Sequence, residues 1–294
     1  MGEGAPDPRP TFVIVVDDDI VGWVDADLVE RHDWLEPGEV NCGYHVFAAH
    51  RGRGLATRAL QLLGSHLART EPGVHTMTLL IDEGNDASLG VARRCGFTER
   101  PAPKNAQRSF AKPVPPLTYT DGVVTIRPHT EDDAAADLAV TDADQLRWLW
   151  RPEWREDWAR KTDAEKLAHK QMNMRDNMAV FATGPRWPFA IEVDGELVGY
   201  VDCDLHNDGV PPGEANISYS IGPQARGKGH VSRAVGLVLR FLSEHTGARE
   251  AHIGVDAENE ASLRVARAVG AVERYRKVDE RGATMVRHVI AITR

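Results

Sequence analysis

The chain repeats itself. Laid on its own sequence at an offset of about 175 residues, FVIVVDDDIVGWVDADL from Phe12 matches FAIEVDGELVGYVDCDL from Phe189, and GEVNCGYHVFAAHRGRG from Gly38 matches GEANISYSIGPQARGKG from Gly213. A third pair sets DEGNDASLGVARRCGFTER from Asp82 against DAENEASLRVARAVGAVER from Asp256. A fold that suits this chain must therefore be built twice.

Between the copies lies a proline-rich stretch, Pro101 to Pro116, whose fixed φ angles and missing donors suit an extended connector. The boundary is expected near residue 115, giving domains 1–115 and 116–294. The copies are unequal, because Val123 to Pro188 has no counterpart before Phe12. Strand-like runs occupy Phe12–Val16, Ile20–Leu28, Val40–Phe47 and Met77–Ile81, with helices over Gly54–His66 and from Asn85. In the second copy a strand over Ala251–Val255 precedes a helix capped by Asn259, and strands follow at Val272–Val278 and Met285–Thr293. Two capping-box patterns, from Thr130 and from Thr162, predict helices over 131–148 and 163–178 in the unmatched insert. The predicted class is α/β, with an α+β mixed sheet in each copy.

The formal charge of −9 carries no electrostatic footprint for nucleic acid. The first ten residues lack a basic-then-apolar signal and no apolar stretch is long enough for a membrane span, so the expectation is a cytoplasmic protein with no membrane partner. Cys42, Cys95 and Cys203 stand far apart and in no ligand spacing, which predicts buried thiols with neither a disulfide framework nor a metal.

Each copy places a glycine-rich basic turn between a strand and a helix: Arg51-Gly52-Arg53-Gly54-Leu55-Ala56 and Arg226-Gly227-Lys228-Gly229-His230-Val231. Amides at a helix start lack intrahelical partners and face the positive end of the helix dipole, so such a turn can hold a pyrophosphate. The alternative is a turn that needs glycine only for its backbone angles. The nucleotide P-loop and the dinucleotide fingerprint both fail here, since neither turn has Gly-Lys-Ser/Thr and Thr57 and Ser232 replace the third glycine.

These residues resemble the GNAT-type acyl-CoA N-acyltransferases, whose signature is Arg/Gln-x-x-Gly-x-Gly/Ala, and within them the branch of ribosomal-protein alanine acetyltransferases and antibiotic-modifying enzymes. The likeness covers nearly the whole chain as two tandem copies, the first truncated at its N-terminus. It implies acetyl-CoA as cofactor, with its pyrophosphate on the two turns just named. It also implies that the pantetheine arm pairs with Val46 and Phe47, or Ile221 and Gly222, and meets Asn85 with Ser88, or Asn259 with Ser262. Val231 departs from the signature's small final residue, and Ala92 and Ala266 stand where many members carry a tyrosine acid. Gly96-Phe97 becomes Gly270-Ala271 in the second copy.

Acyl transfer to an amine requires a base to take a proton from the ammonium. Glu214, like Glu39, starts the strand leading to its turn, and Asn216 holds the position where the resembling branch commonly has Glu; Glu214 is therefore the expected base, a solvated strand-end carboxylate being the alternative. Asp202 and Asp204, alternating on the neighbouring strand as Asp25 and Asp27 do in the first copy, are expected to receive a cationic amine, or else to form a solvent-facing edge. The insert interleaves Trp148, Trp150, Trp154, Trp158 and Trp187 with arginines, and Trp150 and Trp154 are expected to wall the acceptor site, core packing being the alternative. His206 alone predicts no metal site.

The sequence thus predicts an acetyl-CoA-dependent N-acetyltransferase that acts on a primary amine of a small, cationic metabolite or antibiotic by direct transfer. The alternatives are a coenzyme A sensor and a protein N-terminal acetyltransferase. The partner is expected to be the small-molecule amine, and the chain either a monomer with an internal pseudo-dimer or a homodimer.

Overall fold

A computed structural model describes residues 10–28, 34–102, 107–207, 209–279 and 282–293. The opening nine residues and Pro103 of the connector lie outside this range. The chain divides into two compact units, Met1–Pro116 and Leu117–Arg294, each built on its own mixed sheet.

The first unit runs β1 (Thr11–Val16), β2 (Asp19–Asp27), β3 (Glu39–Val46), α1 (Leu55–Thr70), β4 (Thr76–Asp82), α2 (Asp86–Arg94), β5 (Thr98–Arg100) and β6 (Gln107–Pro113). The sheet order is β1-β2-β3-β4-β6-β5. Asp17 and Asp18, with φ of 51° and 68°, make the tight turn between β1 and β2. Leu60, Leu63 and Leu67, at helical spacing on α1, pack into a core that includes Val24, Met77 and Leu79. The proline-rich stretch is not wholly a connector: Gln107–Pro113 pairs with both β4 and β5. That segment carries proline only at its last position and buries Ser109 and Phe110, so the prolines around it bound a strand instead of preventing one.

The second unit begins with β7 (Tyr119–Thr120) and β8 (Thr125–Pro128) and continues through α3 (Asp133–Val140), α4 (Ala143–Leu149), α5 (Pro152–Arg160) and α6 (Asp163–Thr183). It then follows the first unit's plan: β9 (Arg186–Val193), β10 (Glu196–Asp204), β11 (Ala215–Ile221), α7 (His230–His245), β12 (Glu250–Asp256), α8 (Glu260–Ala268), β13 (Val272–Val278) and β14 (Thr284–Ala291). The eight strands are ordered β13-β14-β12-β11-β10-β9-β8-β7. Phe189, Phe241, Leu242 and Ile217 are among the side chains that fill its core.

The insert departs from expectation. The helix predicted over 131–148 is two helices, because Asp142 adopts an extended conformation and starts α4 with a reciprocal capping box to Gln145. The pattern at Thr130 makes no such box; Asp133 instead accepts the Thr130 amide and a bidentate pair from Arg127. The box at Thr162 forms with Glu165, and α6 extends five residues past its predicted end, to Thr183. Pro152, at the first turn of α5, starts a further helix that the sequence reading did not separate.

The three cysteines are buried and free, and burial pushes the Cys42 and Cys203 thiols far above their ordinary range. No helix among the described residues is long and apolar enough to cross a membrane.

Candidate active site

Two neighbouring parallel strands separate in each unit. β11 and β12 pair only at Ala215 with Ala251 and Asn216 with His252, and β3 and β4 only over Glu39–Asn41 and Thr76–Thr78. In the second unit the space between the diverging strands is a cleft of about 690 Å3, lined by Ile217 to Ile221, by Ile253 to Asp256 and by the turn before α7.

That turn fits a diphosphate. Gly227 and Gly229 have φ of 73° and 78°, and a Cβ at either would meet no atom within 4 Å. Gly229 caps the sixteen-residue α7 with no side-chain bond to its first amides. Lys228 is exposed beside them. The Val231 side chain, larger than the signature's residue, packs into the core, so only its backbone fronts the turn. In the first unit Gly52 and Gly54 reproduce the geometry with φ of 77° and 78° and the same open space. Gly54 likewise caps α1 without a side-chain bond, with Leu55 as its first residue.

Arg226 has another task. Its Nε donates to Ile221 O at 3.3 Å, its Nη2 donates to Asp142 Oδ1 at 2.7 Å, and its Nη1 lies 3.4 Å from Asp144. The expected phosphate cation is thus a brace between turn and α4. Among the described residues Arg51 makes the strand contact alone, Nε to Val46 O at 2.9 Å, and none of them in the first unit forms a counterpart of α4. Arg53 Nη1 lies 3.4 Å from His50 Nδ1, and Phe47 is exposed at the end of its strand.

Asn259 lines the cleft and its Oδ1 accepts the Ser262 amide at 3.1 Å. Asn85 and Ser88 form the same helix cap at the same distance. Ala92 and Ala266, where a tyrosine acid was sought, are fully buried. A hydroxyl reaches the cleft from the strand instead. Tyr219 Oη donates to Ser262 O at 3.4 Å, and burial pushes its pKa up to about 12. The repeat carried this signal unread, since Tyr44 is the matching residue.

A second cavity, of about 340 Å3, is bounded by α3, α4, α6 and the adjoining ends of β9, β10 and β11. It shares Gln145, Leu149 and Ser220 with the cleft. Trp150 walls it and stands edge-on to Trp158 at 5.3 Å. Trp148 lines the cleft instead, and Trp187 belongs to the core. Trp154 lines neither cavity; it is 54 % exposed, with Arg151 over its ring.

The predicted carboxylates are all engaged. Asp202 is buried, accepts Arg186 Nε at 2.9 Å on Oδ2 and is hydrogen-bonded through Oδ1 to the Ser218 hydroxyl. Asp204 accepts the His206 amide in a turn. They are therefore not a free pair awaiting a cation, and neither lines either cavity. Ser218 lines the cleft and Arg186 the second cavity, so Asp202 stands between the two. Glu214 lies at the opposite end of β11 from the turn, lines neither cavity and bonds His252 Nε2. Glu39 is held likewise by a bidentate pair to Arg100 at 2.6 and 2.9 Å, and that guanidinium holds its pKa below the usual carboxylate range. Asn216 Oδ1 accepts from Arg287 at 3.0 Å. Ligand atoms of Glu214, Glu250 and His252 come within 4.8 Å of one another, but Glu250 holds the Arg274 guanidinium in a bidentate pair, which already supplies the positive charge there.

The sequence is 29% identical over 273 residues to a mycothiol acetyltransferase of Acidothermus cellulolyticus, covering 84% of this chain and 75% of that protein. Among solved structures, a probable acetyltransferase matches 59% of this chain and 96% of its own with a TM-score of 0.50 and 20% identity. RimJ of Mycobacterium smegmatis, solved with a CoA-disulfide, matches 58% of this chain and 82% of its own with a TM-score of 0.49 and 23% identity. The family model described as the acetyltransferase (GNAT) domain matches residues 3–98 and 124–272, most of both units. The chain therefore belongs to the GNAT acetyltransferase family, whose acetyl donor is acetyl-CoA.

Proposed function

We propose that the protein transfers the acetyl group of acetyl-CoA to a primary amine of a small molecule held in the 340 Å3 cavity of the second unit. One observation carries the reading: this polar cavity adjoins the cleft between the separated strands through Gln145, Leu149 and Ser220. Gly227 to Val231 and Lys228 hold the diphosphate of the donor, and Ile221, Asn259 and Ser262 flank its arm. When bound, acetyl-CoA supplies an electrophilic thioester.

The base of this reading is Asp202, acting through Ser218. As the amine's proton passes to Ser218 Oγ, the hydroxyl proton passes to Asp202 Oδ1, while Arg186 holds Oδ2. Glu214, the base expected from sequence, becomes a structural tie between the starts of β11 and β12. Tyr219 keeps its proton at neutral pH because of its burial and presents it in the cleft where the helical tyrosine is missing. Trp150 and α4 wall the cavity on one side.

The first unit supports a binding role without transfer. Its turn has the same open glycines, but among its described residues no segment corresponds to α3–α6. Val46, Phe47, Arg51 to Ala56, Asn85 and Ser88 would hold coenzyme A there.

The test is thiol release from acetyl-CoA, with mass detection of the acetylated amine, across small amines, amino acids and short peptides. The acceptor of mycothiol acetyltransferase belongs in the panel because of the sequence similarity. Acetylated product from a small amine supports the reading. Transfer only to peptide N-termini turns it toward protein acetylation, and donor binding with no transfer turns it toward a sensor.

A further inference from the structure

Arg127, Arg186, Arg226 and Arg274 of the second unit each meet a carboxylate. Arg287, on β14, does not. Among the described residues the one hydrogen bond of its side chain runs from Nη1 to Asn216 Oδ1 at 3.0 Å, and no ion pair engages it. This is so in a chain with 44 acidic side chains against 35 basic ones. A guanidinium carries five N–H donors. A half-buried one that spends a single donor on a neutral carboxamide holds its charge and its fork for another partner.

The strands fix where that guanidinium lies. Arg287 is paired with Gly254, which lines the cleft, and a Cβ at Gly254 would stand 3.3 Å from Arg287 Cζ. Gly209, in the connection between β10 and β11, approaches from another side, where a Cβ would stand 2.8 Å from Nη2. Glycine inside a strand commonly marks such a close approach. In the first unit the matching pair is Leu80 and Ser109, so the guanidinium belongs only to the unit that carries α3–α6. Alternate residues of a strand share a face, which sets Asn216, Ser218 and Ser220 in a row on β11. Ser220 borders the 340 Å3 cavity, Ser218 is the hydroxyl bonded to Asp202, and Asn216 holds Arg287. An amine at Ser218 therefore has the cavity on one side and the guanidinium on the other.

We infer that Arg287 binds a carboxylate on the carbon that bears the reacting amine, so that the acceptor is an α-amino acid whose side chain enters the cavity. The planar fork of a guanidinium matches the two oxygens of a carboxylate. Of the cations that line the cavity, Lys170 and Arg186 are already held by Asp137 and Asp202, which leaves Arg287 to receive the charge. An acceptor without the carboxylate would leave the guanidinium unpaired, and sites built to bond a polar substrate group discriminate against analogues that lack it. The inference rests on the amine-acetylation reading and narrows it.

The experiment uses the full chain, acetyl-CoA and three acceptor series: tyrosine, glutamine and serine, each beside its amide and its decarboxylated amine. In the series that is turned over, kcat/KM for the amino acid should exceed that of both comparators about tenfold or more. Arg287→Gln should bring that ratio to about one by raising KM for the amino acid, and Arg287→Lys, a charge without the fork, should recover part of it. Calorimetry with acetyl-CoA identifies the variants that fold; should Arg287→Gln not fold, the wild-type ranking and Arg287→Lys decide. Because Gly254 lines the donor cleft, the same guanidinium would also meet a carboxylate carried on the acyl chain. Succinyl-CoA favoured over acetyl-CoA with tyramine, and that preference lost in Arg287→Gln, would assign the carboxylate to the acyl group and overturn the acceptor as its source. An amide or decarboxylated amine that matches its amino acid, a ratio that Arg287→Gln leaves intact, or transfer only to amines outside these series overturns the inference while amine acetylation stands. Acetyl-CoA binding with transfer to no amine of any class overturns amine acetylation itself, and the inference with it.

Discussion

Arg226 Nη2 donates to Asp142 Oδ1 at 2.7 Å, tying the glycine-rich turn before α7 to the cap of α4, the helix whose Gln145 and Leu149 line both cleft and cavity. The Arg226 hydrogen bond holds the Asp142 carboxyl below the usual carboxylate range, so the tie is charged throughout the neutral region. Both groups are partly exposed, 33% and 28%, and the pair itself is worth no more than about 1 kcal/mol. Its importance is positional. Asp142→Ala should cost about 1 kcal/mol of stability through the lost cap and raise KM for the acceptor about tenfold, read by denaturant melts and steady-state kinetics. Asp142→Asn keeps a capping oxygen, so it should recover most of the stability while KM stays raised.

The two turns can be separated by their left-handed glycines. Gly229 and Gly54 both have φ of 78°, and alanine at either should cost about 1–2 kcal/mol in that conformation. Gly229→Ala should weaken acetyl-CoA binding at the second unit and lower turnover in parallel. Gly54→Ala should remove a second calorimetric site and leave turnover near wild type. A single calorimetric site in the wild-type protein would refute a donor site in the first unit.

Much of the fold could be read from the repeat, and the 340 Å3 cavity of the second unit could not. The glycine turns, the helix caps at Asn85 and Asn259 and the box at Thr162 are local patterns, and each forms as its spacing predicts. The break at Asp142 was also local, an Asp-x-x-Gln box, but it lay inside a continuous helical pattern and was overridden by it. β6 was hidden by the prolines around it. His129, Asp137, Lys170, Asn173 and Tyr200 come from a loop, two helices and a strand, and no linear spacing brings them to one cavity. The alternation of Asp202 with Asp204 is visible in the sequence, whereas the Asp202 partners Arg186 and Ser218 come from the two neighbouring strands.

Acid stability should depend on Asp133. Burial alone would raise its carboxyl, but the bonds from Arg127 and the Thr130 amide, with the His129 ring close by, outweigh that and hold it far below the usual range. A carboxylate lowered in the folded state stabilises fully above its unfolded value near 3.9 and loses that stabilisation as pH falls further. Asp133→Asn should therefore cost about 2 kcal/mol at neutral pH, since the Arg127 guanidinium keeps only its Nε bond to Glu192 as a charged partner. It should also flatten the stability curve between about pH 4 and pH 2, measured by urea unfolding across that range.

The most direct measurement is kcat for amine acetylation in wild type, Ser218→Ala, Asp202→Asn and Glu214→Gln, with acetyl-CoA affinity determined for each. If Asp202 takes the amine's proton through Ser218, the first two variants should lose about 10²-fold or more in kcat while binding the donor normally, and Glu214→Gln should stay within a few fold of wild type. Full activity in Ser218→Ala and Asp202→Asn, with kcat lost in Glu214→Gln, would contradict the account and return the base to the start of β11.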